Sequence, residues 1–123
     1  MTINQIAVTF DCGDALAVAE FWSAALDRGL DPDGSAEFAS IGYAGADPAQ
    51  PAWTFTKVPE GKTAKNRVHL DFSTQDREGE VGRLVGLGAT RVDDVTEGGT
   101  TWTVLQDPEG NEFCVAQLSG QAS

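Results

Sequence analysis

Apolar and polar residues alternate strictly in two stretches of this chain about 60 residues apart, and each alternation leads into an apolar stripe of helical spacing. In the first, Ile6, Val8 and Phe10 alternate with Ala7, Thr9 and Asp11, a period of two that predicts a strand with one face on a core. Asp14 then offers a side-chain acceptor to the first free N–H groups of a helix running to about Leu26. Ala15, Val18, Ala19, Trp22, Ala25 and Leu26 form its apolar stripe, and Gly29 ends it. Strand-like runs at 36–43 and 52–58 follow, separated by the Gly-, Ala-, Asp- and Pro-rich segment from Gly42 to Pro51.

The second stretch repeats the plan. Val68, Leu70 and Phe72 alternate with His69, Asp71 and Ser73. Asp76 is placed to cap a helix in which Val81, Leu84, Val85 and Gly88 fall at i, i+3, i+4 and i+7, with Gly88 as the left-handed residue past its end. A strand near Thr90–Asp94, a turn at Gly98-Gly99 and a strand over Thr101–Gln106 come next. Asp107-Pro108-Glu109-Gly110-Asn111 reads as a tight hairpin turn before a closing strand, Glu112–Ala116. Residues 8–30 can be laid over residues 68–89, so each half reads β-α-β-β-β.

Alternation also assigns faces. Phe10, Val68, Leu70, Phe113 and Val115 belong beneath the helices, whereas Thr9, Asp11, His69, Asp71, Glu112 and Cys114 point to the other side of the sheet. Duplicated units of this kind build a cavity between their copies, and those outward residues would line it.

At 123 residues and 41% hydrophobic content the chain fits one domain, 1–123, with module one at about 5–58 and module two at about 66–117. No basic and apolar leader and no apolar run long enough for a membrane span is legible, which predicts a cytoplasmic protein. The net charge of −11 argues against nucleic acid and anionic membrane as partners. Lys57, Lys62, Lys65 and Arg67 concentrate half of the eight basic residues in eleven positions. They read either as a solvated connector or as a local anion site. Cys12 and Cys114 are the only cysteines and are expected to stay reduced; zinc-finger spacing is absent.

The paired modules, the strand-Asp-helix with Phe21-Trp22 at its middle, the LGAT after the second helix and the DPEGNEFCV hairpin together resemble the glyoxalase-like domain of the vicinal oxygen chelate superfamily. The segment VPEGKTAKNRVHLDF is similar to the module-linking stretch of a subgroup associated with actinobacteria. The resemblance spans about Gln5 to Gln117. It implies an α+β fold of two β-α-β-β-β modules forming a curved, barrel-like mixed sheet with helices outside and a central cleft. It also implies a homodimer. Relatives of this kind usually hold a divalent metal on four side chains, one from the first and one from the last strand of each module, and include metal-free binding proteins.

On this chain those four positions fall on Ala7 or Thr9, on Thr54 or Thr56, on His69, and on Cys114 with Glu112 two residues earlier. One of four is kept in kind, so no cofactor is expected. If a divalent metal binds, His69 and Cys114 are its ligands, with a carboxylate from Asp71, Asp11 or Glu112. Chemistry without metal would rest on His69 as a general base paired with Asp71 or Glu112. Trp53 and Trp102 are candidates to stack on a flat ligand, and Lys62, Lys65 and Arg67 to meet its carboxylate or phosphate. Thr9, Asp11 and Cys114 complete the expected ligand-binding set.

The resemblance therefore implies a small-molecule-binding protein without the usual four-ligand metal. The alternatives are a metal-dependent lyase, isomerase or dioxygenase with a rearranged site centred on His69, and a non-catalytic interaction subunit.

Overall fold

A computed structural model describes residues 3–43 and 50–118. The chain forms two compact units, Met1–Gly61 and Lys62–Ser123. The α+β class expected from the sequence is present as two mixed sheets, of three and four strands, neither closed on itself. No helix among the described residues is long and apolar enough to cross a membrane.

The first unit contains β1 (Ala7–Cys12), α1 (Ala15–Leu26), β2 (Phe38–Ile41) and β3 (Ala52–Lys57), in sheet order β1-β3-β2. Strands β1 and β3 run parallel, with Val8 beside Trp53 and Phe10 beside Phe55. Neighbours in register share a face, so these four residues lie together under α1. There Phe10 stacks on Trp53 and Phe55 at 5.4 and 5.3 Å, and Trp22 of α1 meets Trp53 at 5.0 Å. Asp14 caps α1 by accepting the Ala17 N–H at 3.2 Å.

Three details differ from the sequence reading. Ile6 lies outside the strand and is exposed. The helix ends at Asp27, not Gly29: Asp27 takes the left-handed conformation at φ 53°, which a short polar side chain tolerates. Module one was expected to carry four strands, but between α1 and β2 there is only a single bridge, Leu30 to Ile41. The segment LDPDGSAE has a Pro, a Gly and no alternating apolar residues to sustain a strand. Within the expected loop from Gly42 to Pro51, residues 44–49 lie outside the described residues.

The second unit is a complete β-α-β-β-β: β4 (Leu70–Thr74), α2 (Arg77–Leu87), β5 (Thr90–Glu97), β6 (Thr100–Gln106) and β7 (Glu112–Gln117), in order β4-β7-β6-β5. Its first strand is again parallel to its last, as in the first unit. Val81 and Leu84 of α2 are buried with Leu105, Phe113 and Val115 of the sheet, whereas Val85 is exposed. Gly98 and Gly99, at φ 58° and 81°, make the two-residue hairpin between β5 and β6. Between β6 and β7, Asp107 Oδ1 accepts the N–H groups of Glu109 and Asn111, each at 2.9 Å, which closes the turn that Pro108 and Gly110 begin.

Candidate functional site

The face of the second sheet turned away from α2 carries its chemistry. Phe113 and Val115 point into the core, so Glu112, Cys114 and Ala116 point the other way. The parallel register puts Asp71 beside Cys114, and the antiparallel register puts Val104 beside Cys114 and Trp102 beside Ala116. Trp102, Val104, Ala116 and Cys114 thus form a mostly apolar strip, bordered by Asp71.

His69 stands just before β4, which begins at Leu70 and not at Val68; Val68 is exposed. Imidazole Nδ1 of His69 lies 3.2 Å from Asp71 Oδ1, with side-chain exposures of 42% and 67%. Cys114 is buried at 9% exposure. Burial pushes its thiol above the ordinary range, and the Asp71 carboxylate, to which the thiol is hydrogen-bonded, pushes it further against a weaker pull from Lys65. At neutral pH the thiol is therefore protonated. A nitrogen of His69, an oxygen of Asp71 and Sγ of Cys114 all lie within 4.8 Å of one another.

The structure gives other expected site residues different partners. Glu112 does not reach for His69: its two carboxylate oxygens accept from the Asn66 N–H at 2.8 Å and the Lys62 ammonium at 2.9 Å. Burial raises the Glu112 carboxyl, but these donors outweigh it and hold the group at about 2. Lys62 also donates to the Ala64 carbonyl at 2.6 Å, so the expected anion contact is instead an internal tie. Lys65 and Arg67 remain exposed on the segment leading to His69.

In the first unit, Trp53 is corrected from a ligand contact to a core residue, because its strand position faces α1 and its ring is covered by Phe10 and Trp22. Thr9 and Asp11 do lie on the face away from α1. The Thr9 hydroxyl is hydrogen-bonded to that of Thr54 at 2.6 Å, and Asp11 is exposed.

Two arrangements escaped the sequence reading. Asn66 secures the connector twice, through its N–H to Glu112 and its side-chain amide to Asn111 at 3.1 Å. On the helix side, Arg77 and Asp94 meet across Thr103, which accepts from Arg77 at 2.5 Å and donates to Asp94 at 2.7 Å. Arg91 joins Asp94 to Glu78. Both arrangements link residues far apart in sequence, a kind of contact that no local pattern shows.

Residues 7–116 match the family profile described as the glyoxalase-like domain. A search of curated proteins gives no match. Among solved structures, the chain is similar to a glyoxalase/bleomycin resistance/dioxygenase family enzyme from Burkholderia phytofirmans PsJN, with TM-score 0.74 at 18% identity over 94% of this chain and 98% of that one. It is similar to a fosfomycin resistance protein from Mesorhizobium loti, with TM-score 0.69 at 10% identity over 99% and 97%. A lactoylglutathione lyase from Agrobacterium tumefaciens gives TM-score 0.63 at 12% identity over 99% and 97%. At these identities the likeness is one of fold.

Proposed function

The chain belongs to the glyoxalase-like domain family, and from that premise we propose that it binds a small molecule on the face of the second sheet turned away from α2. The observation that carries this reading is the convergence of His69, Asp71 and Cys114 within 4.8 Å, at the end of an apolar strip. A few polar groups set into apolar surface is the composition of small-molecule sites. Trp102 supplies an aromatic surface on the same strip, and Lys65, whose charge acts on Cys114, supplies an exposed cation, with Arg67 exposed two residues further along the connector. A flat ligand bearing a carboxylate suits that combination.

The four-ligand metal implied by the family resemblance does not fit this chain. Thr9 and Thr54 bond each other in the first unit, and neither they nor Ala7 and Thr56 offer a charged or imidazole donor. In a metal-free reaction His69 is the group that moves a proton. With Nδ1 held by Asp71, Nε2 is left to accept a proton from a bound ligand. Glu112, already bonded to Lys62 and Asn66, takes no part. A second reading, metal-assisted lyase, isomerase or dioxygenase chemistry centred on His69, is favoured by the presence of a thiol in the donor group. This proposal also takes the protein as a cytoplasmic homodimer, in keeping with its two free cysteines and the family resemblance.

The test is a panel of aromatic carboxylic acids added to metal-free protein, followed by tryptophan fluorescence. Quenching that disappears in Trp102→Phe is expected, since Trp22 and Trp53 are both buried in the first unit's core. If no member of the panel changes the fluorescence or the thermal midpoint, the binding reading falls and the interaction subunit takes its place.

A further inference from the structure

We propose that Asp33-Gly34, in the turn between α1 and β2, is a site of spontaneous backbone modification, where the main chain reroutes through the Asp33 side chain as isoaspartate. The pair is the one place in the sequence where Asp or Asn precedes Gly. A following glycine matters because it has no Cβ to keep its backbone nitrogen away from the neighbouring carboxyl carbon.

The fold leaves the reacting groups unengaged. Pro32 and Asp33 form a turn in which Asp33 holds φ at 69°, a left-handed position that ordinarily goes to Gly or Asn. Asp33 is exposed, and among the described residues its carboxylate has no hydrogen-bond or ion-pair partner. The Gly34 N–H makes no close hydrogen bond. Ties resume on either side: the Asp31 N–H donates to the Ser40 carbonyl at 2.9 Å, and the Ser35 N–H to the Phe38 carbonyl at 2.8 Å. Rotation of Asp33 towards attack therefore breaks no close hydrogen bond, and it leaves a backbone conformation that a side chain disfavours. The other aspartates are protected. Asp31, Asp47 and Asp107 each precede a proline, which has no N–H. Asp14 and Asp76 cap helices, and the residue after Asp27 donates its N–H to the Ser23 carbonyl. Asp11, Asp71, Asp93 and Asp94 lie in strands.

The chemistry balances with water alone. The Gly34 nitrogen bonds to Cγ of Asp33, and a carboxyl oxygen departs as water with the amide proton, closing a five-membered succinimide. Water then adds back to one of the two ring carbonyls. Opening at Cγ restores aspartate, and opening at the main-chain carbon leaves the chain running through Cβ with a free α-carboxylate. The lengthened backbone lies between the ties at Asp31 and Ser35. Gly34 is packed there, since an added Cβ would stand 3.3 Å from Leu16 Cδ1 and 3.4 Å from Ala39 Cβ. Just beyond, the Ala36 carbonyl accepts the Ala15 N–H that opens α1, at 2.9 Å. Isomerisation therefore disturbs the seat of the first turn of α1 and lowers the stability of the first unit.

The experiment ages the folded full chain below its thermal midpoint, beside a urea-unfolded sample. Isoaspartate is followed by peptide mapping with electron-transfer fragmentation and by labelling with an isoaspartyl methyltransferase and a radioactive methyl donor. Expected in the folded sample is isoaspartate at residue 33, preceded by a species lighter by one water. Asp33→Asn, which reaches the same succinimide by losing ammonia, gives the product faster. Asp33→Gly, which suits the left-handed turn and has no carboxyl, gives none. The thermal midpoint of the aged wild type falls as isoaspartate accumulates, while that of Asp33→Gly aged alongside stays in place. Isoaspartate at residue 33 that forms only in the unfolded sample overturns the proposal, as does ageing with no product there. A midpoint that holds while the product accumulates, or that falls equally in Asp33→Gly, overturns the link to α1.

Discussion

Glu112 is bonded on both carboxylate oxygens, and that fixes how its charge affects stability. Its ordinary carboxyl value of 4.5 falls to about 2 in the folded chain, where Asn66 and Lys62 outweigh burial. A depressed folded value means that the folded state binds its proton less readily than the unfolded state does. The stabilisation is therefore complete above pH 4.5 and is lost as pH falls towards 2. Glu112→Gln should cost about 1.5–3 kcal/mol near neutrality, the range for hydrogen bonds to a charged group. The gap between variant and wild type should close as the solution is acidified through that window. Urea midpoints measured against pH check this, and a gap that stays constant with pH would mean that the carboxylate charge is irrelevant. The same residue marks a limit of legibility. Alternation placed Glu112 and Cys114 on the correct face, but alternation gives a direction and not a partner. Whether Glu112 meets His69 or Lys62 is decided by how residues 62–69 return along the end of β7, which no local pattern encodes. Trp53 was open for the related reason that a strand's period is visible while the side carrying its helix is not.

Helix α2 shows how far single positions control an element. Asp76 accepts the Gly79 N–H at 3.0 Å, and Glu78 and Glu80 place further negative charge in the first turn, where the helix dipole favours it. Asp76→Ala should therefore cost about 1 kcal/mol. The helix also contains Gly82 and Gly86, where an added Cβ meets nothing within 4 Å. Alanine at either should stabilise by about 0.5–1 kcal/mol, because it narrows the unfolded ensemble and fits the helix. At Gly79 the added Cβ would run into the Asp76 carboxylate and displace the cap, so Gly79→Ala should give none of that gain. Equal stabilisation by Gly79→Ala and Gly82→Ala in urea denaturation would show that the cap contributes nothing. Both N-caps, Asp14 and Asp76, were legible because an Asp directly before an apolar stripe has few other uses. The end of α1 was not: Asp27 and Gly29 both tolerate a left-handed backbone, and sequence gives no means of choosing between them.

The duplicated plan was readable across the whole chain because two physical periods, two and 3.6, recur in the same order in both halves. Missing from that reading was the unequal strength of the copies: the second unit builds four strands, while between α1 and β2 the first makes only a bridge. Charge is distributed just as unequally. Residues 1–61 carry nine acids against two bases, and 62–123 carry ten against six. In the first unit Lys57 pairs with Glu37, at a long 3.9 Å and exposed. The second has the linked Arg77, Arg91, Glu78 and Asp94 set, together with the Lys62–Glu112 pair. Added salt screens repulsion among the excess acids and attraction within paired sets alike. Exposed pairs are worth little, so at a net charge of −11 the relief of repulsion should dominate. The thermal midpoint should consequently rise with sodium chloride. Arg91→Gln, which removes one of the two cations shared by Glu78 and Asp94 and leaves them with Arg77 alone, should make that rise steeper. A midpoint that falls with salt in the wild type, and falls less in Arg91→Gln, would instead assign the balance to the arginine network.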